Sequence, residues 1–256
     1  MEDPRPEPIN ALYGLDPALS LNLPADASGA EPHLGGEVAV ARLLELIRKW
    51  RTRRAAADAL RRAGQTAVPG LLLALFDQNP NVRIAAVQAL GGIGGQRAVD
   101  GLLGALYDEY HLVRREALLA LGRLGEAAAL PEMARLLADK DVWVRRDAAR
   151  ALGLLGDPQV IPLLLACGED QFAVRHAAFG AIAAFGLEAI PALLRGLKSG
   201  SGATRTAAVE GFVWLARRVG RARLRHIIER ELQRISAAGE PGNRRAVDRL
   251  LDELTL

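Results

Sequence analysis

This sequence predicts an all-α architecture, an α-solenoid in which about six two-helix repeats stack into a superhelix behind an N-terminal arm. Three observations predict it. One arginine returns at Arg53, Arg83, Arg114, Arg145, Arg175 and Arg205, in steps of 30, 31, 31, 30 and 30 residues. The same small and apolar residues follow each of these anchors. A glycine stands eleven residues after five of them, at Gly64, Gly94, Gly125, Gly156 and Gly186, where the sixth copy has Ala216. A fixed internal period of this length is the signature of a repeat architecture.

The first helix of each repeat follows from the offsets. Three residues after the anchors stand Ala56, Ala86, Ala117, Ala148, Ala178 and Ala208. Six after comes a small residue, and seven after an apolar one: Leu60, Leu90, Leu121, Leu152, Ile182 and Phe212. Ten after is apolar again. Offsets of three, six to seven and ten trace one stripe of a 3.6-residue helix. Its small residues allow another helix to come close, and the following glycine is a helix stop.

A second apolar block fills the rest of each repeat: 68–76, 99–107, 130–138, 161–168 and 190–197. Four of the five carry proline as their second residue, at Pro69, Pro131, Pro162 and Pro191. Proline is tolerated in a first helical turn, where its missing N–H has no partner to lose. Each repeat therefore reads helix, turn, helix, and neither helix can bury its apolar face alone.

The ends differ from the array, which spans 37–216. Residues 1–36 hold six of the thirteen prolines and six acids against one arginine. They read as a flexible acidic arm with one apolar stretch, 9–23, from which Leu12, Tyr13, Leu15 and Leu19 can dock on the array or on a partner. A first helical layer, 36–50, then closes the array. Residues 217–256 read as capping helices, with Leu224, Ile228, Leu232 and Ile235 on one face and a last short helix at 244–256. Their start carries Arg217, Arg218, Arg221, Arg223 and Arg225 without an acid, a candidate anion patch for a nucleic acid. Acids return at once, and no aromatic residue is interleaved.

The recurring motif V-R-x-x-A-x-x-A-L-x-x-I/L-G, as in 81–94, 112–125 and 143–156, resembles HEAT repeats. Its short unit resembles the subtype named after phycobilisome lyases. The resemblance implies an α-solenoid and says little of activity, because such repeats serve many functions. It also implies a candidate chemistry, the attachment or detachment of bilin chromophores on phycobiliproteins by paired HEAT-like chains. The six arginines read as a structural ladder. Asp77, Asp108, Asp139 and Glu169 stand six residues before four of them, placed to bridge turns and neighbouring repeats. A catalytic residue is needed once, not six times.

No catalytic, cofactor or metal site is expected. One helical-repeat enzyme family, deoxyhypusine hydroxylase, carries iron on His-Glu pairs, and none of His33, His111, His176 and His226 precedes a glutamate. The single cysteine, Cys167, falls in a core column and excludes multi-thiolate zinc. It also leaves no disulfide within the chain, so a cytoplasmic protein is expected. The N-terminus lacks the pattern of a secretory signal. Net charge is +3, which forces neither a nucleic-acid nor a membrane partner.

The loops before the anchors break the regularity. Tyr110 and His111, Trp143, and Phe172 precede their arginines by two to four residues, where core demand is weakest. Exposed aromatics anchor interfaces. These residues and the groove beside them are the expected contact edge for another protein, a phycobiliprotein or a second HEAT-like chain among the candidates. The expected function is a non-enzymatic scaffold or adaptor. Bilin-lyase chemistry stands as the alternative, and nucleic-acid binding through the arginine-rich cap as the second alternative.

Overall fold

The computed structural model describes residues 34–49, 51–238 and 240–255. Residues 1–33 of the expected arm, and the side chain of Arg53, lie outside the described residues, and 34–36 already belong to the first helix. Helices and short 3-10 turns make up the ordered elements, with no strand among the described residues. Contacts divide the chain into two compact units, 1–120 and 121–256.

Unit 1 opens with α1 (Leu34–Arg48), followed by the pairs α2 (Arg53–Ala63) and α3 (Val68–Ala74), then α4 (Pro80–Ile93) and α5 (Gln96–Ala105). Helix α6 (His111–Leu124) runs through the division. Unit 2 continues with α7 (Leu130–Arg135), α8 (Val142–Leu155), α9 (Ile161–Ala166), α10 (Phe172–Ala184), α11 (Ile190–Leu197) and α12 (Gly202–Val219), and ends with α13 (Arg221–Ala238) and α14 (Pro241–Thr255). In this scheme α2, α4, α6, α8, α10 and α12 are the first helices of the repeats. The intervening helices are the second ones.

The anchored stripe is the core. The alanines at offset three and the apolar residues at offset seven are buried in all six copies, as are Val82, Val113, Val144 and Val174 just before the anchors. Offset ten is half-buried in five copies and fully buried only at Leu215. That position is the last residue of the shorter helices or, for Phe185, the residue that caps one. The small residues bring first helices together: a Cβ placed on Gly153 would stand 2.6 Å from Ala181 Cβ and 3.2 Å from its Cα.

Caps and stops match the residues present. Asp141 Oδ1 accepts from the N–H groups of Trp143 and Val144 at 2.9 and 3.1 Å, and Asn79 and Ser201 cap their helices in the same way. Gly156 ends α8 with φ of 73° and ψ of 11°, a left-handed conformation that side-chain-bearing residues adopt at a cost. The sixth copy has Ala216 at that offset and does not stop. α12 runs 18 residues to Val219 and ends at Gly220, so the array's last helix crosses the expected boundary at 216. The final helix likewise starts earlier than expected, with Pro241 in its first turn.

Candidate functional site

Five of the recurring arginines, Arg83, Arg114, Arg145, Arg175 and Arg205, donate Nη1 to carbonyl oxygens of the loop before them. Arg83 is buried and holds Asp108 through both Nε and Nη2, at 2.7 and 2.9 Å. Its Nη1 donates to the carbonyl oxygens of Asp77 and Gln78. Arg145 repeats this in unit 2, donating to Asp170 at 2.8 Å twice and to the Asp139 carbonyl at 2.9 Å. In both pairs the acid lies 25 residues beyond its arginine, in the next loop. The acid used by Arg145 is therefore Asp170 and not Glu169, the expected bridging acid. The reach is set by packing, so a 30-residue step leaves the acid five residues before the next anchor and a 31-residue step six. Arg114, Arg175 and Arg205 likewise donate Nη1 to the carbonyls of Asp108 and Glu109, of Asp170, and of Ser199 and Gly200. Asp77 receives Arg48 Nε at 3.0 Å.

The aromatic residues of the expected edge separate into two places. In unit 1, Tyr110 and His111 are half-buried with ring centroids 5.0 Å apart. In unit 2, Trp143 is 46% exposed and Phe172 is 71% exposed. Neither folds inward. The Arg146 guanidinium lies 4.7 Å above the Trp143 ring and also donates Nε to Asp147, which is fully buried. One carboxylate thus fixes the cation that covers the indole, a contact worth about 0.5–1 kcal/mol at an exposed site.

Phe172 starts a second cluster. Its ring is 5.6 Å from His176, which meets Trp214 edge-on at 4.7 Å, and Arg217 stands 5.5 Å from the Trp214 ring. Between α8 and α10 runs a groove of about 490 Å³ with Arg146, Arg150 and Leu154 on one side and His176 on the other. The α10 side is otherwise made of small residues, Ala173, Ala177, Gly180 and Ala184. A groove in the same register lies between α2 and α4, lined by Arg54, Asp58 and Arg61, and no aromatic residue lines it.

Arg146, His176 and Trp214 carry this face together with Trp143 and Phe172, and the loop irregularity alone does not reveal them. The signal was the column one residue after each anchor, which reads Arg54, Ile84, Arg115, Arg146, His176 and Thr206. A column that varies this freely faces outward.

Arg217 lies against Trp214, Arg225 donates to Thr255 Oγ1 at 3.0 Å, and Arg218, Arg221 and Arg223 are exposed. Arg217 and Arg218 also occupy the last turn of α12, where cations complement the helix dipole. Cys167 is buried, donates to the Leu163 carbonyl, and its thiol is pushed up to about 11, mainly by burial. It stays protonated at neutral pH and offers no nucleophile. Among the described residues no group of three His, Cys, Asp or Glu side chains is placed to hold a metal ion. No single described helix is long and apolar enough to cross a membrane.

Comparison with known proteins agrees with this architecture. No curated protein sequence matches the chain. A chain of the CpcE–CpcF complex of phycocyanin lyase from Nostoc sp. PCC7120 is similar, with 23% identity over 89% of this chain and 97% of that one, and a TM-score of 0.50. YibA of E. coli is similar at 18% identity over 89% and 98%, with a TM-score of 0.51. A Kap121p mutant is similar at 16% identity over 86% of this chain and 29% of its own, with a TM-score of 0.51. At these identities the likeness is one of fold. HEAT repeats match residues 40–118 and 105–183, which together span 144 of the 256 residues. The chain belongs to the HEAT-repeat family.

Proposed function

We propose that this chain is a non-catalytic scaffold that binds another protein through the outer face of the first helices in unit 2. One observation carries the reading: Trp143 and Phe172 stand 46% and 71% exposed, each beside an arginine side chain. Large aromatic rings paired with arginine are the side chains from which interface hot spots are built. The groove between α8 and α10 has small residues along its α10 side, against which a partner's backbone can lie.

The test is affinity capture with the intact chain as bait, quantified against a Trp143→Ala/Phe172→Ala variant of unchanged helicity. Loss of a hot-spot pair lowers affinity about tenfold or more. Equal recovery of every partner by the folded variant would overturn the assignment.

A further inference from the structure

Unit 1 has its own exposed apolar surface, on the side of its second helices. Among the described residues of that unit, three large apolar side chains are exposed: Leu73 at 77%, Phe76 at 86% and Tyr107 at 59%. All three stand at the ends of α3 and α5. These helices are neighbours, since a Cβ at Gly101 of α5 would press on Leu72 and, at 3.2 Å, on Leu75. Gly104 of α5 has nothing within 4 Å of where its Cβ would be, so the surface is open there. Phe76 and Tyr107 hold the same place in successive repeats, seven residues before Arg83 and Arg114. The later repeats carry Ala138, Gly168 and Lys198 there. A ring and an isobutyl group left in water forgo the gain of burying their apolar surface. Clusters of this kind mark a surface that something covers.

We propose that residues 9–23 of the same chain cover it. This stretch holds nine apolar residues in fifteen and a single charge, Asp16, whereas the rest of 1–33 carries the other five acids. Ten residues, 24–33, join it to α1. The geometry of α1 sets the distance to be crossed. Leu44 and Val40 lie against Gly70 of α3, and Arg48 reaches Asp77. The C-terminal end of α1 is therefore beside the patch, and its first residue is one helix length away, about 22 Å for its 15 residues. A ten-residue connector extends to about 35 Å at most and averages roughly 18 Å. Its span matches the distance, which sets the local concentration of the stretch on the order of millimolar. A contact of millimolar affinity is then closed about half the time, and burial of several leucines closes it further. This inference stands on unit 1 and does not depend on the binding face of unit 2.

The experiment uses the full chain with Phe76 replaced by the photo-crosslinking residue p-benzoylphenylalanine, irradiated at low micromolar concentration and mapped by mass spectrometry. The expected product is a monomer linked to a peptide from 9–23. A second protein, carrying Leu12→Asp, Leu15→Asp and Leu19→Asp as well, leaves the array untouched and lowers that product at least fivefold. A link to a second copy, a link elsewhere in the monomer, no link, or an unchanged yield in the triple variant would each overturn the proposal.

Discussion

At the scale of single residues, Asp170 shows what the arginine bridge does. Two donors of Arg145 hold its carboxyl below the ordinary aspartate range, against the opposing effect of burial, and the Gln171 N–H adds to the lowering. A depressed folded pKa means the native state favours the charged form. The stabilisation is complete above the unfolded value of about 3.9 and is lost as pH falls through the lower folded value. Asp170→Asn should therefore cost about 2 kcal/mol at pH 7, the size of a charge-assisted bond that is largely shielded from solvent. The gap to the parent protein should shrink below about pH 4. Urea midpoints measured from pH 7 to pH 2 check this, and parallel curves over that range would disprove it. The sequence singled out the arginines but misassigned this acid. Repeat spacing identifies which residues recur, while the 25-residue reach of the side chain is fixed by how two helices sit against each other.

Elements are where the sequence was most legible, because period, cap and stop all act within one repeat. The first helices, the prolines opening the second ones and the glycine stops can all be read from offsets. Departures occur where a local signal is missing: α12 overruns because Ala216 replaces a stop, and α7 and α9 end early in 3-10 turns. Close approach between helices was implied by small residues but not located. Gly153 locates it. Alanine normally gains up to about 1 kcal/mol over glycine within a helix. Here its methyl would stand 2.6 Å from Ala181 Cβ, so α8 and α10 must part, at about 1–3 kcal/mol. Gly153→Ala should lower stability, while Gly104→Ala, with open space above it, should be neutral or slightly stabilising. Thermal melts of the two variants decide the matter; if both rise together, the tight approach at Gly153 is refuted.

The whole molecule follows from the neighbour-only packing of a repeat array. Where each repeat touches only those beside it, stability is a sum of local terms, and a lesion spreads no further than its own interfaces. The same logic explains why the proposed binding face was only partly legible. Trp143 and Phe172 announce themselves as aromatics in loops, whereas His176 and Trp214 become neighbours only once α10 and α12 are side by side. Local coupling gives a last prediction. Asp170→Asn removes a bridge between the start of α8 and the loop that opens α10. Amide hydrogens of Val142–Leu155 and Phe172–Ala184 should exchange up to about 30-fold faster, the factor that corresponds to about 2 kcal/mol. Those of Pro80–Ile93 in unit 1 should keep their rates. Hydrogen exchange followed by mass spectrometry resolves these segments in one experiment. An equal acceleration in all three would mean that the chain opens as a single cooperative body, and that its repeats do not add as independent layers.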